Sequence, residues 1–191
     1  MQVAHFDTQH PLEEVDNLIH RLNNFLPKSI AVYNLKKVLA DSHARFDALQ
    51  RVYEYHIATK KDPFLNGFCY FINYSLDIKK MNKAAKILYQ YGDFQCFSKT
   101  KTDVKTFLCE IKYARWKETS FGYVFTISAN RFLRNMVRAI VGTFLEIGIG
   151  KRSVKSLHDV IQSKSRSSSG YSVPAEGLYL TEIKYAKKIY C

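Results

Sequence analysis

An α+β fold, a mostly antiparallel sheet with helices packed on one face, follows from three features of this sequence. Several short runs alternate apolar with polar residues, others repeat apolar residues at helical spacing, and none forms the strand-helix-strand unit of a dinucleotide-binding fold. A strand pair delivers the chain into one long helical stretch, residues 129–151, ANRFLRNMVRAIVGTFLEIGIGK. There Phe132, Leu133, Met136, Val137, Ile140, Val141, Phe144 and Leu145 make a stripe down one helix face, with Arg131, Arg134 and Arg138 along its edge. Asn130 is placed to cap the start, and Gly148 with Gly150 to end it.

The 191 residues, 47% hydrophobic and 14% aromatic, suffice for a genuine core in one domain or two closely packed halves. A formal net charge of +12 exceeds what solubility needs and favours a polyanionic partner, nucleic acid first. The four cysteines form no C-x-x-C pair and no histidines stand at i, i+4, so neither a disulfide framework nor a metal site is expected. With no leader and no apolar run of about 18 residues, no membrane contact is expected and a cytoplasmic location is.

Taken in order, residues 1–7, MQVAHFD, read as a strand already in progress, because Val3 and Phe6 are core-type residues with no turn before them. Residues 11–26 keep helical spacing through Leu12, Val15, Leu18, Ile19, Leu22 and Phe25, with Pro11 in the first turn. Residues 29–39 alternate as a strand, and 40–42 are a polar hinge. Residues 43–59 supply two β-rich runs in which Tyr53 and Tyr55 share a face, and 68–74 are a further extended segment. A helix over 77–91 turns Met81, Ala84, Ala85 and Leu88 inward. Strands over 106–117 and 121–128 form the hairpin, joined by 118–120. After the long helix come a short helix over 154–162, a flexible basic loop over 163–170 and a final strand within 173–185.

Four segments carry more than fold. HARFDALQRVYEY, GDFQCF, ANRFLRNMVRAIVGTFLEIGIGK and PAEGLYL, in this order and at these separations, resemble the TruA family of tRNA pseudouridine synthases. The resemblance implies the pseudouridine synthase fold, with residues 1–42 a remnant of an incomplete N-terminal half and 43–191 a C-terminal half bearing the tRNA- and base-binding motifs. It also implies the isomerisation of uridine to pseudouridine in the anticodon stem-loop of tRNA, without cofactor or metal, by a homodimer. Such a reaction needs a carboxylate to attack, a base that detaches and turns, and a group to take the proton from the new linkage carbon.

By the same resemblance, Tyr53 matches the tyrosine that stacks on the target base and serves the proton step. Arg138 matches the basic residue that orients the catalytic Asp, and Leu178 the apolar residue beneath the base. Read without the family, Tyr53 and Leu178 are core residues of strands and Arg138 extends from a helix edge to solvent. Arg45, Arg51, Arg131 and Arg134, with Lys151, Arg152, Lys155, Lys164 and Arg166, are candidates for phosphate contact or else a solvated basic face.

One departure from the family stands out. Its nucleophile is the Asp of a G-R-T-D-x-G-V-H loop, and no such loop occurs in these 191 residues. Lys101-Thr102-Asp103 is the nearest look-alike but lacks the flanking residues, and Asp7 reads as a strand-end carboxylate. The expectation is a truncated chain, inactive alone, that retains a tRNA surface; the alternative is a noncatalytic tRNA-binding module.

Overall fold

The computed structural model describes residues 2–100 and 104–191. Among them the chain forms helices α1 (Val15–Phe25), α2 (Ile78–Ile87), α3 (Met136–Gly148) and α4 (Ser156–Gln162). The strands are β1 (Ala48–Ala58), β2 (Tyr70–Phe71), β3 (Ile111–Glu118), β4 (Gly122–Ala129) and β5 (Leu178–Tyr185). They divide into two units, the larger built from Leu49–Lys184 and the smaller from Val3–Ala48 with Tyr185–Cys191.

The larger unit is a mostly antiparallel sheet, as its strand patterns predict. Its order is β2-β1-β4-β3, with β5 also pairing β1. The β1–β4 and β3–β4 pairs are antiparallel and the short β1–β2 pair is parallel. Tyr55 opposes Phe125 and Trp116 opposes the same residue from the other side, so one row of aromatics crosses three strands on a single face. In β3 a register shift between Ile111 and Tyr113 admits one extra residue, which lets Ile111 and Ala114 both turn inward although they lie three apart. β5 closes on β1 because Gly177 has no side chain: a Cβ there would lie 2.6 Å from the His56 carbonyl and 3.1 Å from the Tyr55 ring.

Helices cover that aromatic face. Trp116 stacks on Phe125 at 4.8 Å between ring centroids, and Phe144 of α3 meets Phe125 edge-on at 5.4 Å. α2 forms where expected: Asp77 caps it by accepting the Lys80 N–H at 2.9 Å, and Met81, Ala84 and Ala85 are fully buried. Those bonds to its carboxylate, with the Lys80 charge beside it, hold the Asp77 pKa below the ordinary value. The helix then tightens into a 3-10 turn, Leu88–Gln90, with Leu88 inside.

The long helical stretch differs from its sequence reading at the front. α3 starts at Met136, because Asn135 adopts a left-handed conformation (φ 71°) and Asn130 is engaged elsewhere. The Asn130 Oδ1 accepts the N–H groups of Glu110 at 2.9 Å and Arg131 at 2.7 Å, which fixes residues 130–135 as a loop. Asn130 therefore caps a loop, and of the three arginines only Arg138 is on the helix. Nor is α3 buried on one face alone. Met136, Val137, Ala139, Ile140, Val141, Phe144, Leu145 and Ile147 are all buried, since the sheet, α2 and residues 165–173 enclose it.

Residues 163–170 are also not a free polar loop. Arg152 is paired with Glu146 and donates to the Ser168 carbonyl at 2.9 Å. Arg166 donates to Ser169 Oγ at 2.7 Å, the Gly170 carbonyl at 3.0 Å and Ser172 Oγ at 2.7 Å. The Gly170 N–H donates to Thr143 Oγ1 on α3 at 2.8 Å. At Gly142 a Cβ would overlap the Tyr171 carbonyl, so the strap formed by residues 165–173 lies directly on the helix backbone.

In the smaller unit, residues 2–7 have no strand partner among the described residues and Val3 and Phe6 are exposed, against the strand reading. α1 spans Val15–Phe25 with none of its residues buried. Residues 29–39 form no strand either. Their one ladder contact is the isolated bridge of Val38 with Tyr190, while Asn23 mimics a strand by exchanging two bonds with the Val32 backbone, at 2.9 and 2.7 Å. Period-2 patterning makes a strand only where a partner strand satisfies the backbone. Likewise residues 43–47 are a turn, held by the His43 N–H donating to Asp47 Oδ2 at 2.6 Å, so one β run remains of the two expected.

Candidate functional site

Where the start of α3, the strap and the first residues of β5 meet, a cleft of about 700 Å³ opens in the larger unit. Lys99, Arg134, Arg138 and Arg166 line it, with Asn135 and Ser172 between them and Ala175 and Leu178 as its apolar side. No carboxylate lines it among the described residues. Four cations beside an aliphatic wall suit a flat uncharged ring carrying a phosphate.

Arg138 is half-buried and oriented by the strap: its Nε donates to the Val173 carbonyl at 2.5 Å. Its two terminal nitrogens have no hydrogen-bond partner among the described residues. That leaves the fork of the guanidinium for an acceptor in the cleft. Ser172 Oγ ties the opposite side together, accepting Asn135 Nδ2 at 2.6 Å and an Arg166 terminal nitrogen at 2.7 Å. The left-handed turn at Asn135 thus has a use: it swings that amide out of the helix and onto the strap.

The structure brings Arg134, Arg138 and Leu178 to one cleft, with Arg166 among its walls. Tyr53 is not part of the lining. It sits on β1 with its ring edge-on to Phe132 at 5.1 Å, and burial raises its phenol pKa, opposed in part by the Arg51 charge. Tyr55, two residues on, lies within electrostatic reach of Arg138; it is buried, donates to the Pro174 carbonyl at 2.7 Å, and burial raises its pKa strongly. Arg131 lies in the 130–135 loop and Arg51 donates to the Asn130 carbonyl at 2.9 Å. Arg45 belongs to the smaller unit, 5.7 Å from the Phe46 ring centroid. Of the remaining cations, Lys164 pairs with Asp93 at 3.0 Å, Lys151 and Lys155 are exposed, and Arg152 is taken up by Glu146. Asp7 is exposed in the smaller unit, and Asp103 lies outside the described residues.

Lys99, Asn135 and Ser172 were not singled out from the sequence. The signal was adjacency, since Lys99 closely follows GDFQCF, Asn135 sits inside the long helical segment and Ser172 stands just before PAEGLYL.

Comparison with known proteins points the same way. A family model described as tRNA pseudouridine synthase matches residues 84–186. The chain is 46% identical over 190 residues to the tRNA pseudouridine synthase A of Parabacteroides distasonis, covering 100% of this chain and 75% of that protein. It is 47% identical over 191 residues to the protein of the same name in Bacteroides fragilis, covering 100% and 76%. The corresponding Bacillus subtilis protein is 37% identical over 187 residues, covering 96% and 75%.

Proposed function

The chain belongs to the tRNA pseudouridine synthase A family, and on that premise we propose that its cleft receives a uridine flipped from the anticodon stem-loop of tRNA. The observation that carries this reading is the convergence of Arg138, Arg134 and Leu178 on one cleft with no carboxylate in it among the described residues. Leu178 packs beneath the base, and Arg134, Lys99 and the nearby Arg131 neutralise phosphates of the flanking nucleotides. Arg45 is a further candidate for a phosphate contact. The family resemblance gives Tyr53 the stacking on the base and the proton step, although Tyr53 stands outside the cleft lining. Extruding a base costs a few kcal/mol, which these contacts offset.

Arg138 presents a preoriented fork for a carboxylate, and the isomerisation starts when that carboxylate attacks. No G-R-T-D sequence is present to supply it. These 191 residues therefore bind tRNA and hold the uridine without converting it, residues 43–191 carrying the RNA motifs and 1–42 belonging with the N-terminal half. The working form is a cytoplasmic homodimer.

The test pairs binding with turnover. Affinity for unmodified tRNA should fall steeply with salt, with a slope of log Kd on log salt of about 3 if Arg134, Lys99, Arg131 and Arg45 each neutralise one phosphate of an unpaired strand. Chemical detection after incubation should find no pseudouridine. Salt-independent binding would remove the phosphate reading. Turnover at an enzymatic rate would place a nucleophile within this chain, and Asn substitutions at Asp7 and Asp103 would identify it.

A further inference from the structure

Beside the cleft the fold holds one aromatic ring rigidly and yet leaves it open. Tyr171 is the neighbour in sequence of Ser172, and it is 45% exposed. Its backbone lies against α3 at Gly142, where no side chain fits. Its hydroxyl is 3.3 Å from the hydroxyl of Tyr70 on β2, and Tyr74 is near enough for the two phenols to shift each other's ionisation. With the carbonyl packed on the helix and the hydroxyl engaged, the exposed surface of Tyr171 is its ring. A ring presented this way has little conformational freedom left to lose when a partner docks on it.

We propose that Tyr171 is a stacking platform for an unpaired nucleobase of the RNA, next to the nucleotide that enters the cleft. This deepens the uridine-site reading and rests on it. Charge complementarity selects the occupant: the adjoining cleft carries four cations and the whole chain +12, so a strand of phosphates is drawn along this side. The geometry selects the contact. A hydroxyl already bonded has less to offer a base edge, whereas a free ring face accepts any base. Tyr74, 37% exposed, continues the aromatic surface from Tyr70 and would take the next base along the strand.

The experiment measures affinity of the full chain for an unmodified anticodon stem-loop RNA, comparing Tyr171→Ala, Tyr171→Leu and Tyr171→Phe. Removing the ring should weaken binding about tenfold in both the Ala and Leu variants, while Phe stays within about twofold. The salt slope should be unchanged in all three, because no phosphate contact is removed. Replacing loop bases one at a time by abasic sites should reveal one position where the Tyr171→Ala loss disappears. Should the Ala variant not fold, the Leu variant decides. Wild-type affinity in the Leu variant overturns the platform while leaving the cleft reading intact. No RNA binding by the wild-type chain overturns both. If Tyr171→Leu instead abolishes self-association with RNA affinity unchanged, the ring belongs to a contact between copies and the proposal fails.

Discussion

Arg138 and Val173 are bonded to each other twice: the Arg138 Nε donates to the Val173 carbonyl at 2.5 Å, and the Val173 N–H donates to the Arg138 carbonyl at 3.3 Å. The side chain that faces the cleft is thus also a rivet between α3 and the strap. Arg138→Met keeps the length and loses the rivet, so it should cost about 2 kcal/mol in urea unfolding, the scale of a hydrogen bond to a charged group. Arg138→Lys keeps the charge without the fixed fork, and should retain the salt slope of tRNA binding while recovering little of the stability. Full recovery of stability by Lys would show that charge alone holds the strap.

Gly142 is in a helix interior, where an alanine normally stabilises by up to about 1 kcal/mol. Here the Tyr171 carbonyl occupies the space of the new methyl group. Gly142→Ala should therefore destabilise, by about 2 kcal/mol, as the strap is pushed off the helix. A raised urea midpoint would contradict the close approach.

The thiols make a prediction for pH. Burial pushes Cys96 up to about 12 and Cys109 up to about 11, and Cys69 is raised as well, while Cys191 is exposed. In native protein at neutral pH, Cys191 should react quickly with a disulfide reagent and the other three only on unfolding. Since the folded pKa values lie above the unfolded one, the unfolded chain ionises first as pH rises. Stability should be fully present below the ordinary thiol range and should fall as pH climbs through it towards the folded values of about 11 and 12. A urea midpoint that stays flat across that alkaline range would refute the assignment.

Protection should be uneven along the chain. No residue of α1 is buried, whereas nearly all of α3 is. Amide exchange in Val15–Phe25 should run at least about a hundredfold faster than in Met136–Gly148, because a helix without buried contacts opens locally at low cost. Equal protection of the two helices would contradict this.

Local chemistry was enough to foresee part of this protein. The hairpin of β3 and β4, the inward residues of α2 and the glycine-marked end of α3 follow from period, caps and turns, which act between residues a few positions apart. Of the residues to which the family resemblance pointed, the fold brings Arg134, Arg138 and Leu178 to one cleft and leaves Tyr53 outside its lining. Tertiary structure decided the rest. Residues 2–7 and 29–39 have strand patterning without strands, because a pattern states which face is apolar and not whether a partner backbone is there to pair with. Asn130 and Asn135 start α3 late, since their side chains bond to Glu110 and to Ser172, neither of which their own neighbours reveal. Residues 163–170, most of the strap, read from sequence as a flexible basic loop. Its order comes from Gly142, Thr143 and Arg138 on α3, so only the packing of distant segments could turn it into the wall of a cleft and set Tyr171 beside it.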